Sequence, residues 1–258
     1  MPPKILAIIP TLEDDPTDTI RSILNQTVKV SKIVVVVGSW ELYKKMRAAD
    51  RVTEYVYVRP NFRDPLGKRV ATALNQALST INLKEYEWLL RVDADTLLPR
   101  RFLEENLEVN ADCVGRAGYA MLLRRESFDK IFNGLFVGVG AEDSYILYKL
   151  LSVGHVVKAW KLQPVVKGRK RHEWGYYSVR GVEMYKLGYE PLHVLETMLH
   201  DIRNVFTVLG YIIALVKRYK RYEFANWVFK TQLYRLFLRK KRYENLQNYK
   251  YRSQTLIM

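Results

Sequence analysis

The chain has 258 residues, 48% hydrophobic and 12% aromatic, which is ample for a packed core and excludes a disordered chain. Its single cysteine, Cys113, excludes a disulfide scaffold and a four-cysteine zinc site, and fits a reducing, cytoplasmic compartment. A formal charge of +15 favours an anionic partner: nucleic acid, a phosphate-bearing substrate or an acidic membrane surface.

The opening Met-Pro-Pro-Lys-Ile-Leu lacks the charged-then-apolar layout of a signal peptide. Residues 4–9 form an apolar run ended by Pro10, which predicts a buried parallel strand. Asp15-Pro16-Thr17-Asp18 is a helix start, with Ile20, Ile23 and Leu24 as its apolar face. A second buried strand covers 33–37, a helix 41–49 and a short strand 54–58. Val70, Ala73, Leu74, Ala77 and Leu78 recur at helical spacing within 66–81. A further strand, 88–92, runs directly into Asp93-Ala94-Asp95. This alternation predicts a three-layer α/β domain with a parallel sheet, whose ligands gather at the carboxyl ends of the strands.

The second half is less regular. It predicts strands at 120–123 and 156–162, helices at 141–151, 175–187 and 191–203, and a basic loop over 167–174. Cys113 reads as a small core residue, and His155, His193 and His200 follow no ligand spacing. The charge is concentrated late: residues 217–252 hold 12 Lys and Arg against 2 acids.

Two carboxylates one residue apart at a strand end suit a hard divalent cation, which takes oxygen ligands and keeps phosphates and waters in its shell. The same pattern also arises as a solvated turn. Glu142-Asp143 follows the glycine-rich stretch 134–140 and has two readings. It is either a pair of acids favoured by the helix dipole or a general base presented beside an acceptor.

Taken in order, these pieces resemble the family 2 glycosyltransferases with the GT-A fold. Ile8-Ile9-Pro10-Thr11-Leu12-Glu13 is similar to that family's first strand and turn. Gly67-Lys68 with Ala71, Ala73-Leu74-Asn75 and Ala77 resembles its glycine-led helix, Val92-Asp93-Ala94-Asp95 its Asp-x-Asp motif, and residues 118–128 the strand before its acceptor loop. Gly140-Ala141-Glu142-Asp143 resembles the start of its Glu-Asp helix, and the match spans roughly residues 4 to 160. The resemblance implies a mostly parallel central sheet flanked by helices, a nucleotide-diphosphate sugar donor, Mg²⁺ or Mn²⁺ as cofactor, and an inverting reaction. It assigns the metal to Asp95 and Asp93, and the catalytic base to Asp143, with Glu142 as the next candidate. Donor contacts fall to Pro10, Thr11, Glu13, Gly67, Lys68, Asp93 and Ala94. In several GT-A enzymes a late histidine completes the metal shell; His172 is either that ligand or a surface histidine. Lys68 and the basic loop 167–171 either contact the leaving group or are solvated surface.

The chain departs from the family in three places, the first being the turn after the first strand, which has Glu13-Asp14-Asp15 where the family often has Asn-Glu. Val36 and Val37 stand where an acidic pair commonly precedes Gly-Ser. The Gln-x-x-Arg-Trp string of processive members is absent, its nearest counterpart being Tyr177-Ser-Val-Arg180-Gly181, which argues against a polymerising synthase.

The expected organisation is a GT-A catalytic domain over 1–203 and a basic, amphipathic helical tail over 204–258. Within the tail, the apolar stretch 205–216 falls short of the ~20 residues that span a bilayer. Phe224, Trp227 and Phe237 belong to an aromatic stripe at helical spacing. That stripe either faces an anionic membrane surface, which suits a peripheral enzyme at the inner face of the cell membrane with a lipid-linked acceptor, or packs on the catalytic domain. Two other classes compete. A metal-dependent nucleotidyltransferase normally carries a basic glycine-rich loop after the first strand, where this chain has Pro-Thr-Leu-Glu-Asp-Asp. A nucleic-acid-binding protein is motivated by the tail, but no nucleic-acid-binding motif accompanies it.

Overall fold

The computed structural model describes residues 2–49, 53–116, 118–167 and 174–237. Nine strands and ten α-helices follow in chain order among them. They are β1 (Ile5–Thr11), α1 (Thr17–Leu24), β2 (Lys32–Val37), α2 (Trp40–Ala49), β3 (Glu54–Tyr57), α3 (Leu66–Leu78) and β4 (Trp88–Val92). The middle of the chain forms β5 (Thr96–Leu97), α4 (Phe102–Leu107), β6 (Cys113–Gly115), β7 (Ala120–Arg124), α5 (Arg125–Phe132) and α6 (Glu142–Ser152). The last third forms β8 (Val157–Lys158), β9 (Val165–Val166), α7 (Trp174–Leu187), α8 (Pro191–His200), α9 (Val205–Val216) and α10 (Ala225–Phe237).

Seven strands make one sheet in the order β3-β2-β1-β4-β7-β6-β8. β7 alone is antiparallel to its neighbours β4 and β6; every other pairing is parallel. Both faces are covered, which is why the strands are apolar without alternation. Leu6, Ile8, Val34, Val36 and Leu89 join a core layer with residues of α3, α5 and α6. Ile5, Ile9, Val35, Leu90 and Val92 join a second layer with residues of α1, α2 and α4. This is the predicted three-layer arrangement.

Several local expectations shift. Leu24, expected on the buried face of α1, is exposed, and Thr19 is buried in that helix instead. α3 ends at Leu78, where the chain turns toward β4. The strand expected over 156–162 shrinks to β8, because Trp160 turns inward and its indole N–H donates to the Ala120 carbonyl at 3.0 Å. A second, two-stranded sheet joins β5 to β9 and was not expected. Cys113 is buried in the core as anticipated.

The clearest correction concerns the stripe after residue 216. Phe224 is 4% exposed and sits with Tyr145, Tyr148 and Tyr222 in one aromatic cluster. Trp227 packs partly buried against the same core, and Val228 belongs to it. Burial of this aromatic area beneath α6 takes Phe224 away from any interface, so Phe224 is not membrane-facing, while Trp227 keeps part of its ring outside the core. The side chain of Phe237 lies outside the described residues, as do His172 and most of the basic loop.

α9 lies against α7 through small residues. A Cβ at Gly210 or Gly181 would run into the backbone of Ser178 or Thr207, so the two helices meet at backbone distance. We therefore expect Gly181→Ala to lower stability by at least ~1–3 kcal/mol, the usual penalty of overpacking, as measured by the shift of a urea unfolding midpoint.

Candidate active site

The site begins where β4 ends. Asp93 is hooked to the turn before β7 in both directions: its N–H donates to the Tyr119 carbonyl at 2.7 Å, and the Tyr119 N–H donates to its Oδ2 at 2.9 Å. The turn that permits this has Gly118 and Tyr119 in the left-handed region, at φ 79° and 59°. The other oxygen, Oδ1, lies 3.1 Å from the Arg91 guanidinium.

Arg91 is fully buried and also reaches Glu142 Oε1 at 3.1 Å. It is the one charged residue in an otherwise apolar strand, and it bridges the strand end to the first turn of α6. Asp93, Glu142 and Asp143 all favour its charged form and outweigh the cost of burial, so its pKa rises. Burial pushes the Glu142 carboxyl up, with Asp143 adding to the shift, and the Arg91 guanidinium at 3.1 Å opposes it and favours the charged form. The 3.1 Å contact identifies Glu142 as the structural partner of Arg91. It is enclosed by the protein, whereas Asp143 beside it is half-buried.

Asp143 meets Asp93 across Gly118. A Cβ on that glycine would lie 3.7 Å from Asp143 Oδ2 and 4.0 Å from Asp93 Oδ2. Two acids fifty residues apart thus flank one small gap at the carboxyl edge of the sheet. Tyr176 of α7 lies within electrostatic range of Asp143, together with Arg180 and Tyr119.

Asp95 sits one step further along. Burial raises its pKa, and the nearby charges of Asp93 and Asp14 add to the effect. Its carbonyl accepts from the Lys167 N–H at 2.8 Å, and the β5–β9 pairing holds that segment in place. The basic stretch thus starts beside the Asp-x-Asp, and Lys167 pairs there with Asp18.

The expected donor contacts divide into two groups. Thr11 Oγ1 donates to the Asp14 carbonyl at 2.6 Å and closes the turn after β1, whose Pro10 pairs with Val36. Glu13 is exposed in that turn. The Ala94 carbonyl is taken by Thr19 Oγ1 at 2.6 Å, which ties α1 to the Asp-x-Asp loop. These residues surround the carboxyl ends of β1 and β4. Gly67 instead faces the loop before α6: a Cβ there would meet the Val139 carbonyl at 2.6 Å and strike Glu142 as well. Its small size is explained by this contact. Lys68 pairs with Asp64, one turn away, at 2.8 Å.

Among the described residues no cluster of three His, Cys, Asp or Glu side chains forms. Asp93 and Asp95 nevertheless fit a hard divalent ion, because Mg²⁺ and Mn²⁺ complete their shell with phosphate oxygens and water. The mutual crowding of Asp95, Asp93 and Asp14 is the kind of negative charge that such an ion relieves. The functional part of the Arg91 contact was readable in principle from its place inside an apolar run, since a buried charge requires a partner. No sequence signal marked the Gly118–Tyr119 turn.

Breaking a buried ion pair by removing one partner costs ~3–5 kcal/mol, whereas replacing both by apolar groups is far milder. Arg91→Met should therefore lose several kcal/mol of unfolding free energy, and Arg91→Met with Glu142→Leu should recover a large part of it. Denaturant titration of the single and double variants measures both.

No family model matches the chain, and no curated protein matches it. Solved structures do. A mannosyltransferase from Pyrobaculum calidifontis, PcManGT, in complex with GDP-Man and Mn²⁺, is similar at a TM-score of 0.57 and 17% identity, over 92% of this chain and 81% of that one. Glucosyl-3-phosphoglycerate synthase from Mycobacterium tuberculosis, in complex with Mn²⁺, UDP and phosphoglyceric acid, is similar at a TM-score of 0.50 and 13% identity. That likeness covers 69% of this chain and 77% of that one. Together with the mostly parallel sheet and its flanking helices, these likenesses show that the chain has the GT-A fold.

Proposed function

We propose that the chain is a metal-dependent, inverting glycosyltransferase that moves a hexosyl group from a nucleotide-diphosphate sugar to an acceptor hydroxyl or phosphate. The observation that carries this reading is the approach of Asp93 and Asp143 to one gap at the sheet's carboxyl edge, where α/β folds bind their ligands. A site for a metal–diphosphate and a site for a deprotonating carboxylate are what glycosyl transfer needs side by side.

In this reading Asp95 and Asp93 would hold Mg²⁺ or Mn²⁺, which when bound would supply charge neutralisation for the departing diphosphate. Asp143 accepts the proton of the acceptor hydroxyl as its oxygen attacks the anomeric carbon. The bond from that carbon to the diphosphate breaks on the opposite face, through an oxocarbenium-like state, and the configuration inverts. Arg91 and Glu142 keep Asp93 and the start of α6 in register without touching substrate. The Thr11–Asp14 turn and the Ala94 loop border the nucleotide, and Lys167 stands where a cation can meet the leaving group. GDP-Man and UDP are bound by the two similar proteins; the donor of this chain is of that chemical class. The acceptor we favour is lipid-linked and presents a hydroxyl to Asp143, with the enzyme peripheral at the cytoplasmic face of the membrane. Among the described residues no helix is long and apolar enough to cross a membrane.

Asp95→Ala should abolish metal-dependent binding of nucleotide-sugar, with Asp93→Ala slightly milder. Calorimetric titration with and without Mn²⁺ measures this, and unchanged metal dependence in Asp95→Ala would remove the metal assignment. Asp143→Asn should keep donor affinity yet lose ~10²–10⁴-fold in transfer, the usual weight of a general base. Near-normal transfer by a folded Asp143→Asn protein rejects that role.

A further inference from the structure

α9 is inside out. Thr207, Gly210, Tyr211 and Ala214, spaced i, i+3, i+4 and i+7, are its buried face, and that face is small or polar except for Tyr211. The opposite face repeats the same spacing with Leu209, Ile212, Ile213 and Val216, which are 47%, 47%, 46% and 74% exposed. A surface helix of a water-soluble protein shows the reverse, with its aliphatic stripe turned inward. The small face has a clear cause: it lets α9 touch the backbone of α7 at Gly181 and Ser178. Nothing in that packing requires four large aliphatic side chains on the outside. Leu199 at the end of α8 and Ile202 beyond it are exposed too, at 85% and 74%.

The chain that leaves this helix is basic. Lys217, Arg218 and Lys220 follow at once and are exposed, with Arg221 next. An aliphatic stripe that opens to solvent and is bordered by cations has the chemistry of a helix lying in an anionic lipid interface. A second copy of this chain fits less well, because it would bring the same cations, and a net charge of +15, against themselves.

We propose that the outer face of α9, with Lys217, Arg218 and Lys220 at its end, is the surface by which the protein lies on an anionic bilayer. This deepens the reading of a membrane-peripheral enzyme and replaces the aromatic stripe around Phe224 as its contact. It also bears on the acceptor: α7, which α9 covers, also packs against α6, whose first turn carries Asp143, so the membrane face lies one helix layer from the helix of the proposed base.

Vesicle flotation of the full chain tests this. Wild type should float at low salt with phosphatidylcholine vesicles containing phosphatidylglycerol, and stay at the bottom with phosphatidylcholine alone. Leu209→Asp with Ile213→Asp should cut the floating fraction on the order of tenfold or more, and Lys217→Glu with Lys220→Glu should abolish the preference for anionic lipid. Both variants should keep the wild-type melting temperature and the wild-type rate of nucleotide-sugar hydrolysis without vesicles, since neither touches the site. Flotation of the Asp variant at the wild-type level overturns the proposal, as does failure of wild type to float. A wild-type dimer in vesicle-free light scattering that the Asp variant dissolves, with no flotation, assigns the face to a second copy and overturns it equally. Flotation without any sugar hydrolysis would reject the transferase reading and leave the membrane face standing.

Discussion

A guanidinium inside a sheet must be neutralised where it lies, and this one is neutralised from two directions. Arg91 meets Asp93 just past the end of its own strand and Glu142 at the start of α6, each at 3.1 Å. Removing a charge from water costs several kcal/mol, so the pair of acids cannot drift from it cheaply. That constraint brings the start of α6 to the end of β4, and it places Asp143 beside Asp93. The catalytic reading of the protein rests on this electrostatic tie more than on either acid alone.

Glycines let the backbone close around that tie. Gly67 allows the first turn of α3 to reach the Val139 carbonyl, and Gly118 leaves the gap that Asp93 and Asp143 share. Gly140 performs the same role toward α7: a Cβ there would lie 2.6 Å from the Glu183 carboxyl group. Glu183 in turn accepts from the Tyr222 hydroxyl at 2.6 Å and pairs with Lys186 at 2.8 Å. A chain of close contacts therefore runs from the sheet edge to the segment after residue 216.

The last third of the chain is tied to the sheet-and-helix core on one side and open on the other. Tyr145 donates to Glu223 at 2.9 Å, and Phe224 and Val228 complete the core over α3, α5 and α6. α9, by contrast, uses its small residues for packing and leaves its large ones outside. Two apolar stripes in the same region thus have opposite fates. Aromatic area gains most by burial under α6. On α9 the close backbone contact with α7 leaves no room inward for the aliphatic face.

The order of strands and helices through β4, the three layers and the strand-end Asp-x-Asp were legible in the residues, because strand burial and helical period are local patterns. Asp143 was legible as a candidate at the start of α6 for the same reason. The antiparallel turn of β7, the β5–β9 sheet and the hook between Asp93 and Tyr119 were not, since each depends on partners far apart in the chain. Arg91 and Glu142 show the boundary most clearly. A charge in an apolar strand announces that a partner exists, but only the packing of α6 on the sheet decides which acid it is. The stripe around Phe224 shows the same limit from the other side. Its period marks one apolar face, and the period of α9 marks one too. Which of the two faces is covered depends on the neighbouring element, and that is set by the tertiary structure through the space each helix leaves for the next.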